Sequence, residues 1–327
     1  MTPLLPGIEV GRALDVLFGV FLAGTLWLGV ALPLVAAHLE YWGAKRGRPE
    51  DREAAARLGE AAIVNLICLA AAAAGAALLA LIRHPATLLP PLVWMARVWP
   101  WAWLAGAGYA GLVLLYGGGR WAARPPLLGT ACAAGAGVLA VLLLPVWGAA
   151  LAFPDPALWL RVEEDPWALF RLRGTALFTL HHLLGAGAAG GAALMLAGRR
   201  AFRWESPVPV SSGARLIRWG AGCVLAASAL QLLLGVAWLG ARGPAWLKGT
   251  FYAGGRPLMA AVALLVAALI ILLEVAVSAL RRRGSAPRAG LTAVALLLVV
   301  AVAAGWVRAG VEEASRVRPP RTEGAAR

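Results

Sequence analysis

The sequence predicts an all-α fold, a polytopic transmembrane helix bundle of about eight spans, on three observations. Hydrophobic residues fill 61% of the 327 positions and mean hydropathy is +0.76, well above the roughly 45–50% apolar share of soluble domains. The apolar residues gather into eight runs, at about 13–37, 59–82, 99–117, 127–153, 175–198, 219–239, 257–280 and 290–307, each near or above the ~20 residues that cross a bilayer as a helix. No connection between them is long enough for a large soluble domain. Residues 1–310 therefore read as one transmembrane domain, and 311–327 as a polar C-terminal tail.

Taken in order, the first run contains Pro33 and ends on His38 and Glu40. The second carries Asn65 in IVNLICLAAAAAG, and the third opens on tryptophans and closes on GLVLLYGGGR. The fourth contains Pro145. Proline inside a spanning helix predicts a kink, tolerated where a neighbouring helix satisfies the freed carbonyl. The fifth, TALFTLHHLLGAGAAGGAALMLAG, holds His181 and His182 ahead of a glycine-alanine tract. Ser228 and Gln231 in the sixth run are expected to hydrogen-bond between helices. Met259 and Glu274 lie in the seventh and Trp306 ends the eighth.

Basic residues orient the chain. The odd-numbered connections hold 16 Lys and Arg, against 9 in the N-terminal segment and the even ones. By the positive-inside rule the odd connections are cytoplasmic and the N-terminus lies outside. The segment after the eighth run, with Arg308 and the four arginines of the tail, opposes that bias but also carries Glu312, Glu313 and Glu323. The formal charge of +14 thus reflects orientation, and no nucleic acid is expected as a partner; membrane lipid is. Cys68, Cys132 and Cys223 stand singly, with no C-x-x-C-H for covalent haem attachment. The N-terminus lacks the pattern of a cleaved signal peptide.

Ionisable residues inside a span are functional candidates. His182 falls seven residues into the fifth run, ~10 Å along a helix axis, and Met259 matches that depth if its helix begins near Tyr252. A start at Pro257 would leave Met259 shallower. A histidine and a methionine at one depth can be the axial pair of a low-spin haem b. Arg256 is placed to meet a propionate, and Trp306 lies on the same outer side. The bland alternatives are two imidazoles that only hydrogen-bond across the bundle and a methionine that only fills core. His38 reads as interfacial, His84 as solvated in an outer loop, and Glu274 as a snorkelling carboxylate.

At these residues the chain resembles subunit I of the cytochrome bd quinol oxidases, as a divergent member. In that family a haem b histidine is followed by glycines at the fifth and ninth positions. Here His182 is followed so by Gly187 and Gly191, which selects it over His181. FYAGGRPLM supplies Arg256 and Met259 with a spacing one residue longer than the family's, so Leu258 could take the ligand position instead. Asn65, the stretch from Gly111 to Arg120, and Gly305–Trp306 resemble further family segments in the same order. The family's two other haems use a histidine in the first helix and a glutamate near the end. Those positions fall near Gly19 or Val20 and at Gly310, which cannot ligate iron. Acidic residues of the third helix are replaced around Gly106, Ala107 and Gly108, and the quinol-binding loop shrinks to about 240–256.

The resemblance implies one haem b, held by His182 and Met259, with quinone as a possible ligand. It places the chain in a prokaryotic cytoplasmic (inner) membrane, multi-pass, with other respiratory subunits such as a cytochrome c or an iron–sulfur protein as partners. The expected role is electron transfer within an oxidoreductase complex rather than complete oxygen reduction. The alternatives are a haem-free scaffold or membrane-anchor subunit and, behind it, a transporter.

Overall fold

The structure is a computed structural model and describes residues 10–83, 98–118, 125–152, 164–165, 173–202, 209–242, 244–282 and 286–317. Eight long helices account for nearly all of these: α1 (Val10–Lys45), α2 (Pro49–Arg83), α3 (Trp99–Gly117), α4 (Pro126–Ala152), α5 (Arg173–Arg199), α6 (Val210–Arg242), α7 (Pro244–Arg281) and α8 (Ala289–Val317). Each contains one of the eight apolar runs. Seven are long and apolar enough to cross a membrane. The exception is α3, 19 residues long, whose tryptophans, tyrosines and glycines dilute its hydropathy.

Several helices outrun their apolar stretch. α2 starts at Pro49, a favoured first-turn residue, followed by Glu50 and Asp51, whose charges suit a helix N-terminus. Gly47, with φ of 60°, closes the α1–α2 turn, and Arg48 N–H donates to the Gly43 carbonyl at 2.8 Å. α7 begins at Pro244, so neither expected start, Tyr252 or Pro257, is observed. The region expected as a shortened loop, about 240–256, is instead helix up to Arg242 and again from Pro244. Pro33 and Pro145 lie inside helices α1 and α4.

Packing organises the eight helices into two rings of four. In the first, α1 touches α2, α2 touches α3, α3 touches α4, and α4 returns to α1; α5 through α8 close in the same way. The rings meet through α1 against α5 and α8, and through α4 against α5. α1 and α5 are therefore the two central helices. Their shared core includes Val30, Leu39, Val113, Leu144 and Leu194.

Glycine sets the closest crossings, since little hydrophobic force drives helices together in lipid and tight packing must do so. A Cβ on Gly220 of α6 would lie 2.2 Å from the Gly191 carbonyl of α5, and one on Gly191 would lie 2.5 Å from the Gly220 carbonyl. Gly198 meets Gly213 at a similar approach, and Gly117 of α3 meets Gly59 of α2. By contrast, nothing lies within 4 Å of a Cβ at Gly222. Gly220→Ala is therefore expected to destabilise by about 1–3 kcal/mol through overpacking. Gly222→Ala should be neutral or stabilise by up to ~1 kcal/mol through helix propensity. Thermal unfolding in detergent, comparing the two variants, checks the difference.

Candidate functional site

His182 lies in the seam between the two rings. It is 9% exposed, and the Trp27 indole of α1 approaches it edge-on with ring centroids 6.3 Å apart. Phe178, one turn earlier on α5, stacks on the imidazole at 3.9 Å and 25°. The approach of α1 is permitted by Gly185, where a Cβ would lie 2.4 Å from Trp27 Cε2, and by Gly190, which faces Ala31 and Val35. Nδ1 of His182 is 3.0 Å from the Phe178 carbonyl oxygen. A carbonyl only accepts, so Nδ1 carries the proton and, in the neutral ring, Nε2 carries the lone pair. Metal-ligating histidines are usually arranged this way, with one nitrogen tied to an acceptor and the other facing the metal.

His181 is placed differently. It is exposed, edge-on to Trp27 at 6.5 Å, and its backbone carbonyl accepts a hydrogen bond from Gln231 Nε2 at 3.1 Å. That contact is the interhelical bond expected of Gln231. Ser228, for which the same was expected, is buried, but its hydroxyl has no partner among the described residues. Gly187 and Gly191 both face α6, Gly187 at 3.3 Å from Ala227. Their role in the structure is helix packing.

Met259 is not brought to the His182 seam. It is 55% exposed on α7, the helix diagonal to α5 in the second ring, whereas the preceding Leu258 is 2% exposed. The Arg256 side chain, His84 and the tail beyond residue 317 lie outside the described residues. Trp306 is half-buried, next to Gly305, which packs against Val16 and Val20 of α1. Glu274 is exposed and lines a cleft with Arg282 and Arg288 at the α7–α8 end. Asn65 is buried and donates to the Thr25 carbonyl of α1 at 3.0 Å. Among the described residues no group of three or more histidine, cysteine or acidic side chains gathers as a metal site.

The seam has unmet polar capacity. Trp27 Nε1 and Thr179 Oγ1 are buried without a hydrogen-bond partner among the described residues. The His182 tautomer is the one a metal-ligating histidine adopts, and among the described residues no second ligand side chain stands at the same seam.

One polar cluster went unread in the sequence. At the C-terminal end of α1, Glu40 pairs with Arg52 of α2 at 3.1 Å, Asp51 pairs with Arg215 of α6, and Ser212 Oγ donates to Glu50 at 2.9 Å. Asp51 is 1% exposed. The available signal was the grouping of Glu40, Glu50 and Asp51 in an otherwise basic connection.

The fold and this site define a multi-pass helical membrane protein, built as two four-helix rings with a buried histidine between them. No family model matches the sequence, and no curated protein matches it. Among solved structures the chain is similar to the bd oxidase of Geobacillus thermodenitrificans, with a TM-score of 0.67 and 10% identity over 93% of this chain and 87% of that one. The fold is therefore bd oxidase-like.

Proposed function

We propose that the chain is a membrane cytochrome b-type electron-transfer subunit of a respiratory complex. It holds one low-spin haem b near the outer side and exchanges electrons between quinone and a partner redox protein. The observation that carries this reading is the His182 geometry: a buried imidazole whose Nδ1–H is fixed on the Phe178 carbonyl, the tautomer that metal-ligating histidines adopt. The bd oxidase-like fold agrees with it.

Haem supplies a one-electron carrier, and a thioether ligand raises its potential. Phe178 holds the ring orientation through its carbonyl and covers one ring face, while Trp27 closes the α1 side. Met259, 55% exposed on α7 and away from the seam, is kept as the second-ligand candidate only on the Arg256–Met259 resemblance. Met259→Leu should lower the haem potential or change its spin state in a redox titration followed by absorbance. An unchanged spectrum would move the ligand elsewhere.

A haem-free scaffold or anchor subunit is the second reading, favoured by the close cover of Phe178 and Trp27 over His182. The discriminating experiment is a reduced-minus-oxidised spectrum of the purified protein with a pyridine haemochrome count. One b haem per chain is expected. Colourless protein that co-purifies with redox partners would establish the scaffold instead.

A further inference from the structure

A second niche lies at the C-terminal end of α1, beyond the mid-helix position where Trp27 meets His182, and nothing in the proposed electron transfer uses it. Its lining is His38, Trp42 and Arg46 of α1 and Trp219 of α6. The His38 imidazole is exposed and stands between the two indoles, edge-on to Trp219 at 5.8 Å and tilted to Trp42 at 6.4 Å. The Arg46 guanidinium lies 4.5 Å from the Trp42 ring centroid, and Lys45 Nζ lies 5.0 Å from the same ring and 5.8 Å from that of Tyr41. Arg218, beside Trp219, is exposed.

Charge at this end is sorted in a telling way. Arg52 and Arg215 point inward and are neutralised by Glu40, Glu50 and Asp51. No ion pair among the described residues takes Lys45, Arg46 or Arg218. The acidic groups are thus already engaged, and the niche rim keeps an uncompensated positive charge. Its aromatic walls are Trp42 and Trp219, with Tyr41 edge-on to Trp42 outside the lining, near the end of a membrane span, where such side chains favour the boundary between headgroups and acyl chains.

We propose that this niche binds the phosphate of an anionic membrane lipid, with Arg46 as the principal charge and Trp42 and Trp219 as the walls against the glycerol region. A soluble phosphate would use the cations but gain nothing from the indoles. A zwitterionic lipid would bring its own cation to a site that already holds three. The end of the bundle concerned is the one whose connections carry most of the basic residues, which is where anionic lipid is met in a cytoplasmic leaflet.

The test is native mass spectrometry of the full chain in mild detergent, titrated separately with phosphatidylglycerol and phosphatidylcholine. Wild type should retain phosphatidylglycerol in preference to phosphatidylcholine. Arg46→Gln should weaken that binding about five-fold, the effect of one basic residue near an anionic surface. Arg46→Lys should recover most of it. Arg57→Gln is the control, because Arg57 belongs to the same end but pairs with Glu53 on α2; it should leave binding unchanged. Equal retention of the two lipids, or equal losses in Arg46→Gln and Arg57→Gln, would overturn the proposal. Inorganic phosphate should not displace the lipid. Full displacement would make the niche a soluble-anion site and also overturn it.

Discussion

His182→Ala is expected to remove the b-type absorbance band from the purified protein, while His181→Ala keeps it. The two imidazoles are adjacent in sequence but differ in every respect that matters for ligation. His182 is 9% exposed, fixed through Nδ1 on a backbone carbonyl, and stacked on Phe178. His181 is exposed and no ring-nitrogen hydrogen bond of its own is seen among the described residues. Pre-orientation of one ring means that less conformational entropy is lost on binding, and loss of even a supporting partner of a metal ligand costs about 10–100-fold in affinity. Haem content in His182→Ala should therefore fall by more than about ten-fold, read by pyridine haemochrome per chain. A normal band in His182→Ala with a lost band in His181→Ala would reverse the assignment. Retention in both would place the haem, if present, on other residues. Thermal unfolding of both variants separates loss of ligand from loss of fold.

Hydropathy made the eight helices legible because a bilayer imposes a length on each span, and that length is visible as a run of apolar residues. Helix ends were less legible. α2, α6 and α7 extend past their apolar runs by backbone hydrogen bonding and by first-turn residues such as Pro49 and Pro244, which hydropathy does not register. The grouping into two rings could not be read at all, since it depends on which glycine faces which helix. Gly187 and Gly191 illustrate the difficulty: spacing from His182 singled them out, but a glycine that admits a cofactor and one that admits a neighbouring helix look the same in sequence. In the structure their neighbours are Ala227, Gly220 and Cys223 of α6. His182 was legible as a polar residue in a span. Its Trp27 contact was not, because α1 and α5 are separated by more than a hundred residues.

Arg215→Ala is expected to destabilise the protein by about 3 kcal/mol, more than any other single charge removal at this end of the bundle. Asp51 is held where α2 begins, 2% exposed at its side chain, and its partner Arg215 is 16% exposed on α6. Removing one member of a buried pair leaves an uncompensated charge, at a cost of roughly 3–5 kcal/mol. Two features pull towards the lower end. The N-terminus of α2 itself favours a carboxylate near its first turn, and Ser212 still ties Glu50 to α6. The same reasoning predicts that replacing both partners is far less harmful. Asp51→Asn combined with Arg215→Met should recover most of the loss, because neither an unpaired charge nor a large cavity remains. Thermal unfolding in detergent of the two single variants and the double variant measures the coupling. If Arg215→Ala costs less than about 1 kcal/mol, the magnitude of an exposed pair, the Asp51 carboxylate is solvated and the α2–α6 link is not a buried one. If the double variant is as unstable as Arg215→Ala, the loss comes from side-chain packing of arginine against Trp219, whose ring centroid lies 5.9 Å from the guanidinium. The expected result is the large single effect with most of it recovered in the double variant, since the Asp51 side chain is 2% exposed and faces Arg215.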